Sequence, residues 1–156
     1  SANRGGVRNV KGELILPTEY EEPTMDENKR RGMSTNFGIW WDGDLLRELL
    51  DHETVQKYDW KTGRVNVIKR FDGRFNNGTK SNPCLSGDIL GDWREEVLVR
   101  DAQSTMLKLY TTDIPTDHRI TCLMQDVPYR LSIATENVAY NQPPEPGFYL
   151  GVGMKK

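Results

Sequence analysis

From Asn36 onward the chain is a succession of short apolar runs parted by turn residues. Phe37–Trp41, Leu45–Leu50, Thr54–Trp60 and Arg64–Arg70 make a first set, and Leu85–Leu90, Glu95–Arg100, Thr105–Thr111 and Arg119–Met124 make a second. Runs of this length, rich in β-branched and aromatic residues and bounded by turn residues, read as strands. Each set predicts an antiparallel meander. The last two runs of the first set flank Asp59-Trp60-Lys61-Thr62-Gly63, where Gly63 suits the positive φ of a tight hairpin. Tyr129–Ala134 predicts one more strand. The stretch Ser1–Ser34 is polar and irregular, with Pro23 inside the charge run Glu21–Arg31, and it predicts no more than a short hairpin around Glu13–Leu16. The expected organisation is a loop-rich lead-in over 1–34, one unit over 35–83, a second over 84–127, and a closing strand and tail over 128–156.

The two units carry the same signature. Trp41-Asp42-Gly43-Asp44-Leu45-Leu46-Arg47-Glu48 and Leu90-Gly91-Asp92-Trp93-Arg94-Glu95-Glu96 share a Gly-Asp-x-x-x-Glu pattern about 48 residues apart, inside the range of β-propeller blades. The predicted fold class is all-β, built of propeller blades that are each a four-stranded meander. A stack of two blades leaves apolar faces uncovered, which predicts a fragment of a larger propeller or self-association. Carboxylates gathered on a turn are ligands for Ca²⁺, which takes six to eight oxygens. At the second turn these would be Asp88, Asp92 and Glu96 with the Leu90 and Arg94 carbonyls; at the first, Asp42, Asp44 and Glu48. Trp40 stands where the second turn has Asp88, so the first set relies on Asp42. An EF-hand is excluded, because Gly91 precedes Asp92 and Glu96 follows too soon. Simple surface turns are the plain alternative.

Composition narrows the partners. The 156 residues carry a net charge of −2 with acidic and basic residues interspersed, which excludes a nucleic-acid partner. No apolar run has the length of a membrane span, and Ser1–Asn9 has no signal-peptide core. Cys84 and Cys122 read as two buried thiols or one disulfide, and a zinc site is excluded by the lack of a CxxC pair and by the distance of His52 and His118. Trp40, Trp41, Trp60 and Trp93 lie in or beside strands and turns, which favours packing over sugar stacking.

Longer motifs carry a resemblance. Asn36 to Asp51, Asn76-Asn77-Gly78-Thr79-Lys80, Asp88 to Val97, Asn137-Val138-Ala139-Tyr140-Asn141-Gln142-Pro143-Pro144 and Pro146-Gly147-Phe148-Tyr149-Leu150-Gly151 closely resemble, in content, order and spacing, the rhamnogalacturonan lyases of polysaccharide lyase family 11. The resemblance covers Asn36 to Gly151. It implies the C-terminal part of an eight-bladed, calcium-rich propeller that cleaves the rhamnose–galacturonate linkages of rhamnogalacturonan I by β-elimination. It also implies that Asn77, Gly78, Thr79 and Lys80 line the saccharide cleft with Asn137, Ala139 and Tyr140. The expected location is secreted or periplasmic.

The chemistry asks for few groups. Eliminating the O4 substituent of a uronate needs a cation or hydrogen-bond donor at the carboxylate, a base for the C5 proton and an acid for the leaving oxygen. Lys80 is the candidate base, a role that requires its pKa to fall to ~7–8. Tyr140 is the candidate acid or orienting group, and asparagine amides suit sugar hydroxyls because they donate and accept. Taken alone, Asn77-Gly78 is a common turn, Asn77-Gly78-Thr79 a glycosylation acceptor pattern, Lys80 a solvated lysine and Tyr140 a packing residue. A non-enzymatic, calcium-stabilised propeller module for carbohydrate binding or adhesion is the alternative function; it would keep the acidic turns without needing Lys80.

Overall fold

In the computed structural model, which describes residues 7–16, 36–62, 64–77, 80–138 and 142–154, the apolar runs become three antiparallel sheets. β1 (Val7–Arg8) and β2 (Leu14–Leu16) pair with each other. β3 (Phe37–Ile39), β4 (Glu48–Asp51), β5 (Thr54–Asp59) and β6 (Arg64–Arg70) follow one another across a four-stranded meander. β7 (Leu85–Gly87), β8 (Glu96–Arg100) and β9 (Leu107–Tyr110) make a three-stranded one. Among the described residues the helical content is a single 3₁₀ turn, Leu123–Gln125, and one α-helix, α1 (Val127–Thr135). The chain is therefore all-β, with antiparallel sheets and few helices.

The side-chain period of two decides which residues are buried. Phe37 and Ile39 of β3 and Trp41, two residues beyond it, alternate into a core that also takes Leu50, Val55, Phe71 and Phe75. Val97 and Val99 of β8 enter the same core, so the two larger sheets share it. Phe71 is its aromatic centre, with Trp41 edge-on at 5.7 Å, Phe75 at 6.1 Å and Tyr110 at 5.0 Å between ring centroids. A second cluster of Trp40, Trp93, Leu123, Tyr129 and Leu150 lies against α1. Three of the four tryptophans are thus packed, whereas Trp60, on the β5–β6 turn, is 65% exposed. The β4–β5 turn closes through His52 (φ 45°) and Glu53 (φ 54°), the double positive φ of a type I′ hairpin, here reached without glycine.

Several expected elements differ. The run Arg119–Met124 is irregular before it enters the 3₁₀ turn, so the second meander has three strands rather than four. The run spends its polar groups outside a ladder: Leu123 N donates to Asp88 Oδ2 (2.6 Å) and Met124 O accepts from Arg130 Nη1 (2.7 Å). Tyr129–Ala134 is not a strand but the body of α1. Asp126 caps that helix by accepting from Tyr129 N (3.0 Å), and Pro128 sits in its first turn, where the missing N–H costs nothing. The run Leu45–Leu50 becomes a strand only at Glu48, and Leu85–Leu90 ends as a strand at Gly87, because the acidic turns take the remainder. Cys84 and Cys122 are free thiols, both half-buried. Gly63 lies outside the described residues.

Buried carboxyls join the pieces. Glu136, at the end of α1, accepts from Ser86 N (3.0 and 3.1 Å) and Ser86 Oγ (2.7 Å) of β7. Burial pushes its carboxyl up from 4.5 to about 7, against the pull of the Ser86 hydrogen bonds. Glu95 is likewise pushed up to about 7 by burial, opposed by the Arg47 charge and the Tyr129 hydroxyl. A carboxyl whose folded pKa is raised contributes stability that is fully present below the unfolded value and is lost as pH rises through the folded value. Stability should therefore decline from about pH 4.5 to about pH 7. Glu136→Gln keeps an acceptor for Ser86 but cannot ionise. It should flatten this decline and raise stability at pH 8 by about 1–3 kcal/mol, at ~1.4 kcal/mol per pKa unit, as read from urea midpoints at pH 5 and pH 8. An unaltered slope in the variant would show that Glu136 does not carry the effect.

Candidate functional site

Asn76 and Asn82 bridge to each other on either side of the cleft motif. Asn76 N donates to Asn82 O (2.7 Å) and Asn82 N to Asn76 O (3.2 Å), while Ser81 N donates to Asn77 O (2.6 Å) inside that bridge. Asn77 (φ 56°) and Ser81 (φ 49°) take the left-handed backbone that so tight a return requires, and asparagine is among the few residues that adopt it readily. Asn36 Nδ2 donates to Lys80 O (2.7 Å), which fixes the far side of the loop, and the Lys80 and Asn77 side chains are exposed.

Asn82 ties this loop to the end of α1. Its side chain is fully buried, and Nδ2 donates to Asn137 Oδ1. Asn137 Nδ2 in turn donates to Cys84 O (2.9 Å). Asn82, two residues past the first segment expected to line the cleft, and Asn137, 55 residues further on and the first residue of the second, thus meet through a pair of amides. Both ends of the Asn137 amide are engaged by the protein, so this residue holds the loop in position. Of the other expected cleft residues, Gly78, Thr79, Ala139 and Tyr140 lie outside the described residues. Asn82 carries no signal in the sequence that would single it out. A single asparagine before Pro83 looks like any turn residue, and only its burial distinguishes it.

The two acidic turns differ. Gly43 (φ 91°) and Gly91 (φ 85°) both adopt the left-handed conformation, which explains the repeated Gly-Asp. At the first turn, oxygens of Asp42, Asp44 and Glu48 lie within 4.8 Å of one another, an acidic group able to hold a metal ion. Lys57 Nζ of β5 sits among them, at 2.8 Å from Asp42 Oδ2, 2.7 Å from Asp44 Oδ2 and 2.6 Å from Glu48 Oε1. Burial works to lower the Lys57 pKa, but the three carboxylates outweigh it and hold the ammonium charged. Glu48 is pushed up to about 7 by burial, with Lys57 opposing.

At the second turn the carboxylates diverge. Asp88 accepts from Gly91 N (2.8 Å) and Leu123 N (2.6 Å). Glu96 accepts from Ile89 N and Leu90 N (2.9 Å each) and from the Thr111 hydroxyl (3.1 Å), and burial raises its pKa. Asp92 pairs with the Arg94 guanidinium, which also reaches Ile114 O. Asp88, Asp92 and Glu96 thus share one turn, each with its own protein partners, and their carboxylates are not among the acidic groups that converge. Among the described residues the convergent acidic group is that of Asp42, Asp44 and Glu48.

Fold and site define an all-β module of antiparallel meanders, each with an acidic turn between its first two strands, and a segment closed by the Asn76–Asn82 bridge. The chain belongs to the family described as rhamnogalacturonan lyase family 11, C-terminal domain, which matches residues 7–156. It is 56% identical over 122 residues to rhamnogalacturonan endolyase YesW of Bacillus subtilis (strain 168), a match that covers 78% of this chain and 20% of that protein. It is 51% identical over 132 residues to rhamnogalacturonan exolyase YesX of the same organism, covering 79% and 22%. A crystal structure of rhamnogalacturonan lyase YesW superposes with a TM-score of 0.83 at 48% identity, over 97% of this chain and 24% of that one. The chain therefore spans about a fifth of the length of the curated relatives it matches.

Removing the Asn82 amide takes away its hydrogen bond to Asn137 Oδ1 and leaves a gap where a fully buried side chain stood. Asn82→Ala should cost about 1–3 kcal/mol and speed amide exchange over 76–84 while leaving that of the β5–β6 hairpin unchanged. Exchange that accelerated equally in both places would mean global destabilisation rather than a released loop.

Proposed function

We propose that the chain works as the C-terminal part of a rhamnogalacturonan lyase, where it contributes one wall of the saccharide cleft and the base of a β-elimination. The observation that carries this reading is the amide pair Asn82–Asn137, which holds the loop of Asn77 and Lys80 against the segment that leads to Tyr140. The names of the relatives support the lyase reading over the non-enzymatic carbohydrate-binding or adhesion module. In this reading Lys80 takes the C5 proton of a galacturonate and the electrons of that C–H bond form the C4=C5 double bond. The O4 substituent leaves with a proton from Tyr140, and Asn77, Gly78, Thr79, Asn137 and Ala139 shape the cleft around the sugar.

The rest of the proposal concerns the setting. The two larger sheets are read as neighbouring propeller blades, supported by their in-order meanders and their common core. The exposed Leu107 and Leu109 of β9 are read as surface for further blades. Rhamnogalacturonan I is the proposed substrate, and a secreted or periplasmic location accords with a polymer of that size. Calcium belongs to the proposal as the ion that an oxygen-only group takes; the convergence of Asp42, Asp44 and Glu48 supports it, and there it contends with Lys57.

The test is elimination itself, in a lyase that contains this chain. Lys80→Ala should lower formation of the ultraviolet-absorbing unsaturated uronate by about 10²–10⁴-fold with saccharide binding largely kept, since a base acts in the transition state. Near-normal turnover would remove Lys80 as the base, and a lack of unsaturated product from the unmutated lyase would remove the elimination.

A further inference from the structure

The first acidic turn is saturated by groups of the protein. Each of its carboxylates uses one oxygen on the turn's own backbone: Asp42 Oδ1 accepts from Asp44 N (3.2 Å), Asp44 Oδ1 from Leu46 N (2.7 Å), and Glu48 Oε2 from Trp41 N (2.8 Å) and Asp42 N (3.2 Å). That leaves Asp42 Oδ2, Asp44 Oδ2 and Glu48 Oε1 facing inward, each within 2.8 Å of Lys57 Nζ. An ammonium has three N–H donors, so acceptors and donors match one to one. Calcium, which takes six to eight oxygens, would find three carboxylate oxygens here, all engaged.

The repeat provides an internal comparison. Aligning Gly43 with Gly91 places Leu46 opposite Arg94 and Glu48 opposite Glu96. In the strand registers Leu49 faces Gln56, and Val97 faces Tyr110. One step further, Lys57 faces Glu48 as Thr111 faces Glu96. The first turn therefore has a cation on the neighbouring strand (Lys57) and an uncharged residue in the loop (Leu46). The second has the reverse, Thr111 on the strand and Arg94 in the loop, paired with Asp92. The positive charge has changed position between the repeats but is present in both.

We propose that each acidic turn carries its own cation, Lys57 in the first and Arg94 in the second, in place of a metal ion. At these two turns this inference stands against the calcium reading above, and the response of the wild-type midpoint to calcium separates the two. The fold keeps the acidic turn as a way of ending one strand and starting the next, and the tethered charge meets the need of the carboxylates at any calcium concentration.

The experiment is thermal melting of the chain with chelator and with calcium up to about 10 mM, above the affinities of extracellular calcium modules. For the wild type the midpoint should be the same in both. Lys57→Thr should lower the midpoint by several degrees, and calcium should restore part of the loss by entering the vacated position. Lys57→Thr combined with Leu46→Arg, which copies the second turn, should restore the midpoint without calcium; Leu46 is 43% exposed, so an arginine has room there. If Lys57→Thr alone does not fold, folding of the double variant in chelator supports the inference, and its failure to fold overturns it. A wild-type midpoint raised by calcium, with the response lost in Asp44→Asn, would overturn the inference and leave the calcium reading standing. A Lys57→Thr chain as stable as the wild type would overturn it as well. A loss that neither calcium nor Leu46→Arg repairs would overturn both.

Discussion

A buried carboxylate, Glu95, is the constraint on which the arrangement depends. It is fully enclosed, and each oxygen has a partner: Oε1 accepts from the Tyr129 hydroxyl (2.6 Å) and Oε2 from Trp40 N (2.9 Å). Its own N–H donates to Trp40 O (2.9 Å), so the start of the second meander's central strand is clasped to the end of β3 from both sides. Tyr129 extends the clasp by accepting from Asp88 N (2.9 Å). Trp40 and Asp88 are equivalent positions of the two repeats, and one carboxylate–phenol pair therefore holds the entrances of both acidic turns. Burying a charge this deeply is unfavourable unless it is paired. Arg47 provides the compensation: its guanidinium lies 3.7 Å from Glu95 and over the Trp40 ring at 4.4 Å. Arg47 and Glu95 are themselves equivalent positions, so the repeat has diverged into opposite charges that meet at the junction.

Most of the strands are legible in the sequence because their period of two is written in apolar residues that have nowhere else to go. Phe37, Ile39, Val55, Val97 and Val99 are buried as the alternation requires. The ends of strands are less legible. Glu48 and Glu96 read as oxygen ligands on their turns and Glu95 carries no signal of its own, yet all three are buried, because backbone N–H groups of the turns need acceptors more than the carboxylates need water. The helix escapes a reading by pattern for a related reason. Tyr129–Ala134 carries enough apolar residues for a strand, and what decides otherwise is local, an Asp126 cap and Pro128 in the first turn. The cap is readable; the competing strand pattern obscures it.

The candidate site is legible in its segments and not in its connections. The Asn77–Lys80 loop and Asn137 stand out by motif, but the residue that bonds to Asn137 from the base of that loop is Asn82. Likewise the acidic turns stand out as oxygen-rich, and nothing in their own spacing discloses that Lys57 belongs to the first. It comes from the next strand, and its relation to Glu48 exists only once β4 and β5 are in register. Pattern reading finds groups near in sequence; a counter-charge supplied across a hairpin is a property of pairing.

The two clasps also link the acidic junction to the saccharide loop. Glu95 holds Tyr129 in the first turn of α1, and Glu136 holds the other end of that helix to Ser86. Between them the helix has little freedom to slide along the second meander, and a Cβ at Gly87 would lie 2.6 Å from Ile133, which shows how closely helix and strand approach. Asn137 follows Glu136 directly, so where the amide meets Asn82 is set by where the helix ends. The position of the Lys80 loop is thus fixed at one remove by two carboxylates that never touch it. Such indirect anchoring suits a loop that must present exposed polar groups such as Lys80: rigidity reaches it through buried hydrogen bonds, which lose most when broken.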